Sequence, residues 1–224
     1  MDEDKIDKYI ESFNSIYQGN NFISDRNKEI DNNDPYKKID TFMKDFKNSG
    51  LYREPTFMEI TKYPHYEKVC SNILSFYFDI NREHNLGDLV LRSLLKAANI
   101  EIEKIDEIDV YTEYPTETGK SIDLVLYNKN FAIGIENKIK ATVYNDLEDY
   151  AKTIESLNDN TYKLILSLRD ETTIANDYGY INVTYEKFID NLKELTKPVW
   201  DSSNKWHIFL QEFITTMENL KGEI

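Results

Sequence analysis

Cysteine is nearly absent from this sequence: its 224 residues hold one, Cys70. No intrachain disulfide can form, and a reducing, cytoplasmic setting is expected. The three histidines, His65, His84 and His207, are scattered, which with a lone cysteine argues against a tetrahedral zinc site. With only seven glycines there is no Gly-rich phosphate loop, and no Gly-x-Ser-x-Gly elbow occurs. No apolar run approaches the roughly 18 residues of a membrane span. The opening MDEDKIDKYI is acidic and lacks the apolar stretch of a secretory leader, so no membrane partner is expected. Positive charge is the last shortage. Lys and Arg total 27 against 41 Asp and Glu, a net charge of −14. Nucleic-acid binders are more often basic, so contact with a polyanion would need a local basic strip or a bound divalent cation.

What is present is a globular composition, 40% hydrophobic and 13% aromatic, long enough for one domain with a sizeable core, with or without an appendage. Helical spacing of Ile6, Tyr9, Ile10, Phe13, Ile16 and Tyr17 predicts a first amphipathic helix, and Gly19 to Asp34 reads as loop. A second helix follows Pro35, with Ile39, Phe42, Met43 and Phe46 on one face and Gly50 past its end. These helices form an N-terminal extension, residues 1–50, without visible chemistry. Residues 51–224 form the main domain. There, Pro64 precedes a helix with Val69, Ile73, Phe76 and Tyr77 inside, and Asp88 to Ala98 forms another on Leu89, Leu91, Leu94 and Leu95. A first strand is expected over Ile105–Tyr114. After the segment described next, Thr142 or Asn145 opens a helix carrying Leu147, Tyr150, Ala151 and Ile154. Strands at Tyr162–Leu168 and Tyr180–Val183 follow, then a helix capped by Thr184. A final helix from Lys205 to Leu220 turns Trp206, Phe209, Leu210, Phe213 and Met217 inward. This order fits an α/β layer with a mixed sheet.

The chemistry gathers in GKSIDLVLYNKNFAIGIENKI, Gly119 to Ile139. Two apolar runs, Ile122–Tyr127 and Phe131–Ile135, flank a polar Asn128-Lys129-Asn130 turn, which reads as a β-hairpin. Side chains alternate along a strand, so Glu136 and Lys138 share one face. Pairing of Asn128 with Phe131 puts Asp123 opposite Glu136, whereas a one-residue slip would separate them. Two carboxylates side by side at the end of a half-buried hairpin repel each other unless a cation lies between them. Glu67, in the first turn of its helix, reads either as a charge favourable to the helix dipole or as a ligand for metal or water.

Asp123…Glu136-Asn137-Lys138 resembles the active-site signature of the PD-(D/E)XK nuclease superfamily. Glu67-Lys68-Val69-Cys70-Ser71, followed by Asp79 and His84-Asn85-Leu86-Gly87, is similar to a Glu-x-x-His-Ser…His-x-x-Gly block of one bacterial branch. Cys70 stands where that block has His, and Asp146 where Gln is more usual. The resemblance covers roughly residues 57 to 190. It implies a restriction-endonuclease-like α/β fold, a mixed central β-sheet flanked by helices. It also implies hydrolysis of phosphodiester bonds dependent on Mg²⁺ or Mn²⁺, with DNA as substrate, in bacterial defence or nucleic-acid processing. In that reading Asp123, Glu136 and the Asn137 carbonyl hold the metal, Lys138 positions water and offsets phosphoryl charge, and Glu67 belongs to the catalytic set. His84 reads as a surface or capping residue, or as one touching the site. Trp200 and Trp206 read as core, with Tyr111 and Tyr114 as further candidates for stacking on bases. The alternatives left open are a nuclease-fold module without turnover that acts through protein partners, and a purely structural or regulatory acidic protein; a protein partner or a homodimer is left open as well.

Overall fold

The computed structural model describes residues 35–48, 54–140 and 146–222, together with Lys8 and Glu11. The chain divides into two compact units, Met1–Pro55 and Thr56–Ile224. In the first, helix α1 spans Pro35–Asn48. Phe42 and Phe46, one turn apart, stack with ring centroids 5.9 Å apart, the contact that i,i+4 spacing dictates. Of the helix expected over Ile6–Tyr17 only Lys8 and Glu11 are described, both helical, while the loop after it and Gly50 lie outside the described residues.

The second unit carries a five-stranded sheet in the order β1 (Asp109–Pro115), β2 (Ser121–Tyr127), β3 (Ala132–Lys138), β4 (Thr161–Ser167) and β5 (Ile181–Thr184). β2 runs antiparallel to both β1 and β3, whereas β4 pairs parallel with β3 and β5 parallel with β4. One face is covered by α3 (Glu67–Phe78), α4 (Leu89–Ala97), α7 (Tyr185–Thr196) and α8 (Lys205–Gly222), which pack onto Leu124, Leu126, Ile133, Ile135, Leu164 and Leu166. The other is covered over β2 to β4 by α5 (Leu147–Glu155), with α6 (Thr172–Asp177) beside β5. Its smaller core is built on Val125, Ala132, Ile154 and Ile165. β2 and β3 are thus apolar on both faces, as central strands of a covered sheet must be. A Cβ on Gly134 would overlap the Ile154 side chain; glycine is what lets α5 lie so close to β3. Among the described residues no helix is long and apolar enough to cross a membrane.

Several elements differ from the sequence reading. β1 begins at Asp109, four residues later than expected, because Ile105 and Ile108 plug the core from an irregular segment before it. On α3 the fully covered stripe is Cys70, Leu74, Tyr77 and Phe78, with Val69, Ile73 and Phe76 half-buried at its margin. α3 touches three strands as well as α4, so its inward face is broader than one stripe. Phe209 on α8 is 48% exposed and leans on the Phe57 ring of the short helix α2 (Phe57–Ile60). Neither α2 nor α6 was expected; each is too short to show periodicity. The start of the helix after the hairpin lies outside the described residues at 141–145, and α5 has Asp146 as its N-cap.

His84 is a buried residue, not a surface one. Its Nδ1 accepts from Leu86 N–H at 3.0 Å, which leaves Nε2 to donate to the Asp79 carbonyl, also at 3.0 Å. The ring is therefore held neutral, and burial pushes its pKa below the usual 6.5 despite Asp79 and Glu83 nearby, with His207 opposing protonation as well. A depressed histidine pKa contributes stability above pH 6.5 that is lost as pH falls through the folded-state value. His84→Gln should therefore flatten the fall in melting temperature between neutral pH and pH 5. Parallel slopes for the two proteins would refute the assignment.

Candidate active site

The β2–β3 hairpin sets the site. Leu124 pairs with Ile135 and Tyr127 with Ala132, and Asn128 N–H donates to the Phe131 carbonyl at 3.0 Å. This register carries Asp123 to the position facing Glu136, just past the last paired residues. β1 is distorted at the same level: Glu113 has a positive φ of 53°, and the ladder passes over it from Thr112–Leu124 to Tyr114–Ile122 without changing register.

Four charged side chains meet there. Lys138 Nζ lies 2.8 Å from Glu136 Oε1 and 3.5 Å from Glu67 Oε2. Glu67, at the first turn of α3, also accepts from Ile139 N–H through Oε1 at 2.9 Å. Asp123 Oδ2 accepts from Asn137 N–H at 2.7 Å. Glu67, Asp123, Glu136 and Lys138, the first and last 71 positions apart in sequence, thus form one cluster. Glu136 is 7% exposed, and its Oε2 is the one buried side-chain polar atom without a partner among the described residues.

The electrostatics follow from that crowding. Burial, then the charge of Asp123, pushes the Glu136 carboxyl up to about 7, against the pull of Lys138. Burial lifts Asp123 to about 6, although Asn137 N–H and Lys138 oppose it. Burial alone would lower Lys138, but Glu136, Glu67 and Asp123 outweigh it and raise the ammonium above its usual range. The pocket therefore favours added positive charge. Among the described residues no three His, Cys, Asp or Glu side chains form a ready-made metal cage; the carboxylates face a lysine and backbone N–H groups.

Asn137 is more than a carbonyl. Its side chain points to the opposite face of β3, where Nδ2 donates to Ser71 Oγ at 3.0 Å and to the Glu67 carbonyl at 3.3 Å. Its Oδ1 accepts from the Tyr185 hydroxyl at 2.8 Å. The amide thus ties α3 and α7 to the strand that carries Glu136 and Lys138. The sequence reading passed over this side chain. Strand parity held the signal, since an amide between two site residues must face the core and find partners there.

A family model described as PD-(D/E)XK nuclease superfamily matches residues 54–215. The chain belongs to the PD-(D/E)XK nuclease superfamily. Its mixed five-stranded sheet flanked by helices is the restriction-endonuclease-like arrangement. No curated protein and no solved structure matches the chain.

Other residues singled out in the PD-(D/E)XK reading stand apart from the cluster. Cys70 is fully buried, and burial followed by Glu67 pushes its thiol up to about 12. Asp146 forms an ion pair with Lys120. Partners of His84 are Asp79, Leu86, Phe76 and Tyr77, not the carboxylates. Lys120, Lys129 and Lys138 do not make a continuous basic strip along the hairpin: Lys120 and Lys138 are neutralised by acids, and Lys129 sits at the hairpin turn, the far end of the strands.

Because Glu136 is crowded by like charge, removing its charge should not harm the fold. Glu136→Gln keeps the shape of the side chain, and at pH 8 is expected to melt at or up to about 2–4 °C above the parent. The gain should shrink at pH 5, where Glu136 is already protonated. A drop of several degrees at pH 8 would show that Glu136 is held as a structural anion.

Proposed function

We propose that this protein is a Mg²⁺- or Mn²⁺-dependent nuclease that hydrolyses phosphodiester bonds of DNA. The observation that carries the reading is the cluster at the end of the hairpin, with a partnerless Glu136 oxygen beside Asp123 and a lysine two residues on. Asp123, Glu136 and the Asn137 carbonyl would hold the cation. The set is all oxygen, which suits a hard dication, and the free lone pairs of Glu136 Oε2 fit it. When bound, the cation supplies Lewis acidity to the phosphate and offsets negative charge where the polyanion must sit.

The chain's own residues do the rest. Asn137 N–H fixes the Asp123 carboxylate. Glu67 and Glu136 aim the Lys138 ammonium, whose N–H bonds would orient the attacking water and balance charge growing on the phosphate. Glu67 acts as a positioning residue: its carboxylate is spent on Lys138 and Ile139 N–H. The extension 1–50 and the domain that follows it are read as separate parts, with a role in bacterial defence or nucleic-acid processing in the cytoplasm. A partner-binding module without turnover is the second reading, favoured by the full engagement of Lys138 with two carboxylates.

Supercoiled plasmid incubated with the full chain and Mg²⁺ should be nicked, and EDTA should stop the reaction until Mg²⁺ is restored. With net charge −14, duplex binding should be weak without divalent metal and strengthen when Mn²⁺ is added. Nicking that persists in EDTA overturns the metal assignment, and no cleavage of plasmid or of single-stranded DNA with either metal favours the partner-binding module.

A further inference from the structure

The face of the sheet that carries the site is covered unevenly. α5 lies over β2, β3 and β4 but makes no comparable contact with β1. Beside the site, three tyrosines line the β1 side of this face. Tyr111 on β1 pairs with Val125 and Tyr127 with Asp109, so Tyr111 and Tyr127 are diagonal neighbours on one face. Their rings stack, 5.6 Å between centroids and 10° from parallel. Tyr114 meets both edge-on, at 5.7 Å and 6.5 Å.

The three differ in what they do for the fold. Tyr114 and Tyr127 pack against the smaller core. Tyr111 belongs to neither core and is 42% exposed, resting on Tyr127. An exposed aromatic on an edge strand, braced by two more rings, adds little to stability. It does offer a rigid π-face.

Its position gives that face a use. Tyr111 is level with Val125, two residues from Asp123, and so about 7 Å along the strand from the site. Charge decides what can be bound there. Asp109 and Glu113 flank Tyr111 on β1, and Lys68 is paired with Glu113 at 3.6 Å. Phosphates gain little from such surroundings, whereas stacking needs no positive charge and works on any base. In a duplex the base faces are hidden within the stack. Only an unpaired nucleotide can present one.

We propose that Tyr111, braced by Tyr127 and Tyr114, is a stacking platform for an unpaired base next to the scissile phosphate. The favoured substrate is then a single strand, or a junction with a single-stranded arm, rather than continuous duplex. The substrate class rests on the nuclease reading above; the platform itself does not.

The test is binding, read separately from cleavage. Fluorescence anisotropy of a labelled oligothymidylate, of the matching oligouridylate and of a blunt duplex would be measured with the full chain in EDTA. Tyr111→Ala should weaken single-strand binding about tenfold and leave duplex binding unchanged, with a melting temperature close to the parent's. Tyr111→Trp should restore binding. The ratio of parent to Tyr111→Ala affinities should hold steady across salt, because stacking carries no counterion term. Undiminished single-strand binding by Tyr111→Ala, or an equal loss on duplex, overturns the platform. Oligouridylate held as tightly as oligothymidylate, and lost equally in Tyr111→Ala, supports base stacking blind to the sugar. A parent that nicks plasmid while Tyr111→Ala binds single strands normally leaves the nuclease standing without the platform. A parent that cuts nothing but loses single-strand affinity in Tyr111→Ala leaves the platform without the nuclease.

Discussion

Lys138→Ala is expected to lower the nicking rate by about two to three orders of magnitude, the usual cost of deleting one preorganised charge at a developing phosphate. Lys138→Arg should restore little: the planar guanidinium is bulkier and cannot take the place of a compact ammonium between Glu136 and Glu67. Asp123→Ala should abolish nicking as well, by removing a carboxylate that no neighbour can replace. The fold should survive all three changes. Without the ammonium, Glu136 can take up a proton, since its carboxyl already titrates at about 7, and Asp123 is near the open end of the hairpin. Initial rates on supercoiled plasmid, beside thermal melts of each variant, decide the matter. A Lys138→Ala protein that melts normally and still nicks at the parental rate would remove Lys138 from the chemistry.

The largest expected loss of stability lies one residue away. Asn137→Ala strips partners from the Tyr185 hydroxyl, Ser71 Oγ and the Glu67 carbonyl. Tyr185 and Ser71 are 1% exposed, so water cannot easily replace the amide. Leaving such groups unpaired costs about 1–3 kcal/mol each, so the total should exceed about 3 kcal/mol, a fall in melting temperature of roughly 6–12 °C. Tyr185→Phe in the Asn137→Ala background should recover part of it, because a buried hydroxyl without a partner is then gone. Equal melting of the single and double variants would mean that the Tyr185–Asn137 bond carries little. Activity should fall with stability here, since the same amide fixes α3, and with it Glu67, against β3.

The hairpin was legible in the sequence because alternation, turn chemistry and apolar content agreed on one register; Asp123 and Glu136 faced each other on that account alone. The sheet's mixed character was legible too, from the order of apolar runs and amphipathic stretches. What could not be read was anything decided by contacts distant along the chain. The broad inward face of α3 depends on the elements packed around it, and its own periodicity points only to the average direction. Burial of His84 depends on two backbone groups, at Asp79 and Leu86, that a loop brings to its ring nitrogens. Neutralisation of Lys120 depends on Asp146, twenty-six residues on. The Asn137 side chain was hidden by its neighbours: with an acid on one side and a lysine on the other, it read as part of a polar strand end.

Cys70 turns this architecture into its own gauge. It is the sole thiol in the chain, lies one turn from Glu67 on the face of α3 pressed to the sheet, and is both inaccessible and protonated while that contact holds. A thiol-reactive dye can reach it only when α3 lifts or the molecule opens altogether. The labelling rate of the unmodified protein therefore clocks the opening of the helix–sheet joint that holds Glu67 against Lys138. Added Mg²⁺, if it clamps the hairpin end, should slow that clock.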